Sequence, residues 1–208
     1  MRVLWLASGN AGKRAELERL LGPLGIALKT PKDLGVPFAP VEDRQDFAGN
    51  ARVKAVEFAR LAGGVALADD SGLCVDALGG RPGVHSARYG GEGLGDRQRL
   101  ERLLRELRDV PDDKRGAFFA CCLCLAGPDG SIRAEIEGRC SGLLLREPRG
   151  RGGFGYDPIF VARASLSRPP ARTFAELDPE EKDLLSHRGQ ALRELVRRIA
   201  ADQTLLDP

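Results

Sequence analysis

The feature that most constrains this chain is the stretch 65–89, in which short apolar runs are closed by carboxylates. An apolar run with the length and β-branching of a buried strand end leads directly into Asp69 and Asp70. Ser71–Gly72 is then expected to turn the chain. Because side chains alternate across a strand, the two carboxylates face opposite ways unless the turn re-aims one. We expect one to point into a cleft and the other to hold the loop; an ordinary Asx turn is the alternative.

A glycine-rich loop at 79–83 follows this stretch and leads into polar and ring-bearing side chains. His85, Ser86, Arg88 and Tyr89 come directly after the loop. Carboxylates beside a loop that carries Arg and His are typical of a site for a metal ion and a phosphorylated ligand.

Composition excludes several classes of protein. The 208 residues suffice for one large domain or for two lobes that share a core. With 32 basic against 30 acidic residues, no nucleic-acid-binding surface is expected. No apolar stretch approaches the roughly 20 residues of a membrane span, and the apolar run at the N-terminus is too short for a signal peptide. The five cysteines form no Cys-x-x-Cys pair, so we expect reduced, buried thiols in a cytoplasmic protein.

The beginning of the chain has the pattern of strand, glycine-containing turn and helix. Arg2–Ala7 is the predicted strand, and Ser8–Lys13 is the turn that leads into a leucine-striped helix. Such a turn presents backbone N–H groups and a helix dipole to an anion. The P-loop pattern is not met, because Ala7 replaces its first glycine and Arg14 its hydroxyl residue. A shorter phosphate-binding turn and an ordinary strand-to-helix turn both stay open.

The rest of the chain alternates predicted strands and helices, as in an α/β fold. Lys54 lies off the apolar stripe of its helix, so it is either solvated, which is the default, or aimed at a cleft. The predicted elements are a strand Ile26–Thr30, a helix from Phe47 to Gly63–Gly64, a helix capped by Asp96, a hairpin of residues 116–126 and 131–138, a strand at 159–161, a helix that begins after Asp178, and a last helix that follows residues 186–189.

Two further groups near the C-terminus could contact a ligand. Phe154 and Tyr156 flank Gly155, and aromatic rings beside a glycine suit stacking against a flat base. The alternative is a pair of core aromatics at a strand entry. His187 and Arg188 adjoin another helix N-terminus, where both can donate hydrogen bonds to ligand oxygens. A solvated His-Arg pair is the other interpretation.

Four stretches, taken together and in this order, resemble one known family. SGNAGK, DDSGLCVDALGGRPGVHSARY, GGFGYDPIF and EEK…SHRGQAL are similar to the motifs of the inosine/xanthosine triphosphate pyrophosphatases, the Ham1 family. The resemblance extends over roughly residues 3–195. It implies a single domain over residues 1–208, with an elongated mixed α/β sheet in two lobes, flanking helices and a nucleotide cleft between the lobes. It also implies a homodimer.

The resemblance implies a reaction and a set of residues for it. The reaction is Mg²⁺-dependent hydrolysis of non-standard purine nucleoside triphosphates to the monophosphate and pyrophosphate, which clears them from the nucleotide pool. Asp70 matches the family's essential acid, and Glu42 with Asp70 its metal-binding carboxylates. The residues that fall where the family contacts nucleotide are Ser8, Gly9, Asn10, Ala11, Gly12, Lys13, Ser71, Phe154, Gly155, Tyr156, Asp157, Lys182, His187 and Arg188.

One position departs from the family pattern. Gly49 precedes Asn50–Ala51 where the family usually has Glu, and that acid commonly lies near the metal and the pyrophosphate. Three alternatives remain at this point: a Maf-like pyrophosphatase for other modified nucleotides, a non-catalytic nucleotide-binding module, and release of orthophosphate from the γ position. The FGYD and SHRGQAL stretches are the wrong signature for the first, and the multiple carboxylates argue against the second.

Overall fold

The computed structural model describes residues 2–91, 93–167 and 170–207, and its strands form one mixed sheet. The strand order is β2-β1-β3-β4-β5-β6. β1 runs parallel to β2 and β3, whereas β5 and β6 are antiparallel. The strands are β1 Arg2–Leu6, β2 Ile26–Lys29, β3 Ala66–Val75, β4 Gly116–Ala126, β5 Ile132–Leu144 and β6 Phe160–Ala162. With the helices below, this confirms the prediction of a mixed-sheet α/β fold.

The helices begin and end where the sequence supplies capping groups. Asn10 accepts a hydrogen bond from the Lys13 N–H at the start of the first helix, and Gly63 ends the third in the left-handed conformation. The helices are α1 Ala11–Leu21, α2 Pro31–Leu34, α3 Phe47–Ala62, α4 Asp96–Glu106, α5 Arg163–Leu166, α6 Pro179–Leu185 and α7 His187–Ala201.

The chain divides into two compact units, each with a hydrophobic core of its own. In unit 1, alternate residues of β4 enter two different clusters: Cys121 packs with the leucines of α1 and α7, and Cys122 with the small residues of α3. Unit 2 is built around Phe119, Phe160 and Phe174. Unit 1 comprises Met1–Asp70, Cys121–Gly138 and Arg188–Pro208, and unit 2 comprises Ser71–Ala120 and Arg139–His187.

The turn predicted at Ser71–Gly72 is wrong, because β3 continues without a break through both residues. Gly72 is needed for close packing and not for a turn. A Cβ atom at this position would lie 2.3 Å from the Gly83 carbonyl oxygen and 2.5 Å from the Ser86 hydroxyl. The glycine therefore allows the loop of residues 79–89 to approach the strand closely, a tertiary requirement that local sequence does not reveal.

The predicted cap of α4 is also wrong by one residue. Gly95 is the N-cap, and its N–H donates to the Gln98 side chain at 2.9 Å. Asp96 is the first helical residue, and its carboxylate accepts a hydrogen bond from the Gly155 N–H at 2.8 Å. An acid at the first helical position still interacts favourably with the helix dipole.

The sequence predicts reduced, buried cysteines and no membrane-spanning segment. All five cysteines are buried and none is in a disulfide, as expected. Across residues 2–91, 93–167 and 170–207, no helix combines the length and the apolar character needed to cross a membrane.

Candidate active site

Asp69 lies in unit 1 at the centre of a buried charge cluster. Its fully buried carboxylate forms ion pairs with Lys13, from the first turn of α1, and with Arg188, from the first turn of α7. The Arg188 Nε–Oδ2 distance is 2.8 Å, and the Cys121 thiol donates to the same oxygen at 3.1 Å. Burial would raise the pKa of Asp69, but Arg188 and Lys13 outweigh it and hold the pKa well below its usual value. Asp69 is therefore ionised and ties two helices to β3.

Glu16 is the second acid in this cluster, and no sequence motif predicted a role for it. It is buried, lies one turn after Lys13 in α1, and forms an ion pair with Arg188. Two carboxylates thus share one guanidinium, whose five N–H groups can serve several acceptors at once. The signal in the sequence was weak, because an acid in a helix is solvated by default.

Asp70 lies on the opposite face of β3 and belongs to a separate group in unit 1. Its Oδ1 atom is 2.7 Å from Lys54 Nζ, and its Oδ2 atom accepts from the Asn50 amide at 3.3 Å. Lys54 Nζ also lies 3.0 Å from the Glu42 Oε1 atom. Burial raises the pKa of Asp70, and Lys54 offsets this effect only in part. A carboxylate with a raised pKa beside a fixed cation is suited to accept a proton.

Lys54 does not adopt its default solvated state. The side chain is only 7% exposed, because it bridges Glu42 and Asp70. Burial would lower the pKa of Lys54, but the two carboxylates raise it overall, so the ammonium stays charged. The one sequence signal that could have identified this buried, bridging lysine was its position off the apolar stripe of α3.

The turn Ser8–Lys13 leads from β1 into α1 and is largely accessible to solvent. The Ser8 hydroxyl accepts from the Asn10 N–H at 3.2 Å, and the Asn10 side chain caps the helix. Gly9 has open space where a Cβ atom would lie, and Ala11 and Gly12 are the first two helical residues. The turn thus presents the N-terminal end of an eleven-residue helix, which favours anions.

In unit 2, Asp157 and Lys182 form a buried ion pair at 2.6 Å. The same Asp157 oxygen accepts the Phe154 N–H at 2.9 Å, and Lys182 Nζ lies 4.7 Å from the centre of the Phe154 ring. Tyr156 is buried and donates to the Ser86 carbonyl oxygen at 3.1 Å. The pair thus fixes the glycine-rich loop that carries Phe154 and Gly155, while Tyr156 belongs to the core of the unit.

The remaining predicted residues lie at the ends of the two units. His187, the last residue of unit 2, is buried and stacks on Phe119 with ring centres 4.8 Å apart. Ser71, the first residue of unit 2, is half-buried in β3. Arg188 follows His187 in the chain but belongs to the unit 1 cluster described above. The contacts therefore join some of the predicted residues into three groups: an Asp69 group with Lys13 and Arg188, an Asp70 group with Glu42, and an aromatic group in unit 2 with Phe154, Asp157 and Lys182.

The two acids predicted to bind a metal ion, Glu42 and Asp70, both contact the Lys54 ammonium group. Within the part of the chain that the structure describes, no three His, Cys, Asp or Glu side chains form a group that could hold a metal. Glu42 and Asp70 nevertheless both contact Lys54 Nζ, so their oxygens converge on a position that already favours positive charge. Mg²⁺ is typically held by one or two carboxylates together with substrate phosphates. Two converging carboxylates fit that pattern.

Comparison with known proteins decides the family. The model of the Ham1 family matches residues 4–198 of this chain. The chain belongs to the Ham1 family. The resemblance found in the four motifs is thereby confirmed.

Curated relatives and solved structures of Ham1 proteins agree with this. A protein of Anaeromyxobacter dehalogenans named dITP/XTP pyrophosphatase is 43% identical over 95% of this chain and 97% of its own length, and one of Shigella flexneri with the same name is 47% identical over 94% and 97%. The structure of a HAM1 protein from Coxiella burnetii covers 97% of this chain and all of its own, with a TM-score of 0.84 at 40% identity. A dITP/XTP pyrophosphatase structure from Mycobacterium abscessus covers 93% and 98%, with a TM-score of 0.71 at 44% identity.

Proposed function

We propose that this Ham1 protein hydrolyses the triphosphates of inosine, deoxyinosine and xanthosine to the monophosphate and pyrophosphate. Relatives named dITP/XTP pyrophosphatase match more than nine-tenths of the chain. The observation that carries the proposal is the Asp70 carboxylate, which is held between Lys54 and Asn50 while Glu42 lies on the same ammonium group. Removal of these nucleotides from the pool prevents their incorporation into DNA or RNA.

The triphosphate is assigned to the turn Ser8–Lys13. Backbone N–H groups at the start of α1 and the positive end of the helix dipole attract phosphate oxygens. Lys13 adds a fixed positive charge, because Asp69 holds its ammonium group in place. Lys13 is therefore suited to stabilise the charge that develops on the departing pyrophosphate.

Glu42 and Asp70 are proposed to hold Mg²⁺ together with phosphate oxygens of the substrate. When bound, Mg²⁺ supplies charge neutralisation at the phosphate groups. Asp70 orients the attacking water through one carboxylate oxygen and accepts its proton there. The water oxygen bonds to the α phosphorus while the anhydride bond between the α and β phosphates breaks and pyrophosphate leaves. Lys54 and Asn50 fix the carboxylate for this task by binding one of its oxygens each.

The base is assigned to the aromatic group of unit 2. Phe154 provides a ring for stacking on a loop that Asp157 and Lys182 fix, with Gly155 next to it and the buried Tyr156 supporting the loop. His187 and Arg188 are proposed to donate to the keto oxygen of hypoxanthine, where adenine carries an amino group, and Ser71 to contact the nucleotide. A site built around such a hydrogen bond can reject the mismatched analogue by about 10⁴-fold.

We further propose that the protein is a homodimer in the cytoplasm and that it needs neither nucleic acid nor a membrane. Cytoplasmic residence is supported by the five buried thiols, since reduced cysteines are typical of a reducing compartment. The dimer is proposed on family membership, and sedimentation of the purified protein tests it.

A substrate panel tests the function. The triphosphates of inosine, deoxyinosine, xanthosine and the four standard nucleosides are incubated with Mg²⁺, and both pyrophosphate and orthophosphate are measured. We expect pyrophosphate from the non-standard purines and little turnover of the others. Orthophosphate as the main product, or preference for a standard or pyrimidine nucleotide, would contradict the proposal.

A further inference from the structure

The segment that carries Glu42 is attached to α3 near both of its ends. Residues 35–46, here called the Glu42 segment, lie between α2 and α3 and contain neither helix nor strand. Near its beginning, Phe38 packs on Phe58 with ring centres 4.6 Å apart. Near its end, Arg44 is held through its backbone by Asn50. A segment of irregular chain loses conformational entropy when it is ordered, so each attachment affects how firmly Glu42 is placed.

Both the oxygen and the nitrogen of the Asn50 side-chain amide form hydrogen bonds. The Oδ1 atom accepts from the Arg44 N–H at 3.1 Å, and the Nδ2 atom donates to the Arg44 carbonyl oxygen at 3.3 Å. The same Nδ2 atom donates to Asp70 Oδ2 at 3.3 Å. The side chain is 1% exposed, so no water can replace these bonds without rearrangement. Only an amide side chain supplies donor and acceptor in this arrangement.

Lys54, one helical turn after Asn50, also connects the Glu42 segment to Asp70. Residues four apart lie on the same face of a helix, and Lys54 contacts both Glu42 and Asp70. α3 therefore presents two buried side chains, each of which joins the Glu42 segment to the Asp70 carboxylate. Lys54 supplies a positive charge between the two carboxylates, and Asn50 fixes the backbone of Arg44.

We propose that Asn50 is a positioning residue that sets the spacing between the Glu42 and Asp70 carboxylates. The proposal rests on the proposed function, in which these two acids bind Mg²⁺. Mg²⁺ demands nearly ideal octahedral geometry, so a loosely held carboxylate weakens its binding. Asn50 fixes Arg44, and through the one intervening residue, Asp43, it fixes Glu42.

The test compares Asn50→Ala and Asn50→Asp with the control Gln45→Ala, which removes an exposed amide from the same segment. Asn50→Asp keeps the size and one acceptor oxygen but loses both donated bonds. Hydrogen exchange of the unliganded protein is followed by mass spectrometry for peptides of the Glu42 segment and of β3. The Mg²⁺ concentration for half-maximal hydrolysis of inosine triphosphate is measured in parallel.

In both Asn50 variants we expect exchange in the Glu42 segment to rise at least ~10-fold, which corresponds to the loss of one or two buried hydrogen bonds. Exchange in β3 should stay as in the wild type. The Mg²⁺ requirement of Asn50→Ala, which adds no new carboxylate, should rise at least ~5-fold on the same grounds, and Gln45→Ala should change neither quantity.

Three results would overturn the proposal. They are unchanged exchange in the Glu42 segment, an equal rise in β3 that marks Asn50 as an ordinary core residue, and a loosened segment with an unchanged Mg²⁺ requirement. The exchange measurement needs no activity. A wild-type protein inactive on the whole panel would therefore refute the proposed function, while exchange alone would decide whether Asn50 holds the segment.

Discussion

Asp69 and Asp70 are consecutive residues of one strand, and their carboxylates bind different cations on opposite faces of the sheet. Asp69 pairs with Lys13 and Arg188, and Asp70 pairs with Lys54. The pKa of Asp69 is held well below its usual value and the pKa of Asp70 is raised. Because side chains alternate along a strand, the two neighbours have different environments: Asp69 is an acid held in its ionised form by two cations, and Asp70 is an acid suited to proton transfer.

Asp70→Asn should lower kcat at least ~10³-fold, an increase of about 4 kcal/mol in the barrier. The amide keeps the shape of the side chain but cannot accept the proton from water. Initial rates with inosine triphosphate at saturating Mg²⁺ measure the effect. Asp43→Asn, an exposed acid in the Glu42 segment, is the control and should be fully active. A variant at position 70 with a tenth of wild-type turnover would remove Asp70 from the mechanism.

Asp69→Asn should destabilise the protein at neutral pH by about 3–5 kcal/mol, because it leaves buried positive charge without its partner. The folded-state pKa of Asp69 is depressed, so its stabilising effect is complete above the unfolded value of about 4 and is lost as the pH falls below that. Urea unfolding of wild type and variant between pH 8 and pH 3 should show a constant difference that shrinks only below about pH 4.

Asp70→Asn provides the control for this stability measurement. Burial raises the pKa of Asp70 in the folded state, so its ionised form is disfavoured there. Lys54 also keeps Glu42 as a partner in this variant, so Asp70→Asn should reduce stability at pH 7 by less than Asp69→Asn does. Equal loss of stability in the two variants would mean that Asp69 has no special place in the charge cluster.

The opposite orientation of these acids was predictable from the sequence, because strand alternation is a local property. The continuation of β3 through Ser71–Gly72 was not, since Gly72 makes room for Gly83 and Ser86, which are remote in the chain. For a similar reason, the sequence could not decide whether Lys54 is solvated, which is the default, or aimed at a cleft. Its partners Glu42 and Asp70 lie 12 and 16 positions away, and only the fold brings them together.

Gly49→Glu should lower the Mg²⁺ concentration needed for half-maximal rate if the missing acid weakens the metal site. The substitution is crowded, because a Cβ atom at position 49 would lie 2.9 Å from Arg44 Cβ and 3.1 Å from Asp46 Oδ1. Gly49→Ala is therefore the matched control, since it introduces the same Cβ without the carboxylate. If Gly49→Glu and Gly49→Ala change the Mg²⁺ requirement equally, Glu42 and Asp70 already suffice as metal ligands. The change then reflects only the crowding by the added Cβ atom.

Phe154→Ala should raise KM for inosine triphosphate about 5- to 150-fold, because base stacking on an aromatic ring contributes about 1–3 kcal/mol. The kcat should change less, since the ring is assigned to binding. Phe118→Ala is the control: its half-buried ring lies 3.5 Å from the Arg139 guanidinium and has no assigned role in the site. An unchanged KM in Phe154→Ala would indicate that the ring belongs to the core.

Arg188→Ala should reduce the preference for inosine over adenosine triphosphate at least ~10-fold, since one hydrogen bond from a charged donor contributes about 1.5–3 kcal/mol. The ratio of kcat/KM values isolates this effect, because the loss of the ion pairs with Asp69 and Glu16 should slow both substrates alike. Glu16→Gln separates the two roles. It disturbs the ion pair and keeps the guanidinium, so it should reduce stability and leave the preference intact. Equal slowing of both substrates by Arg188→Ala would make Arg188 a positioning residue for Asp69, and the keto oxygen would then have to be recognised by His187 or by another donor of unit 2.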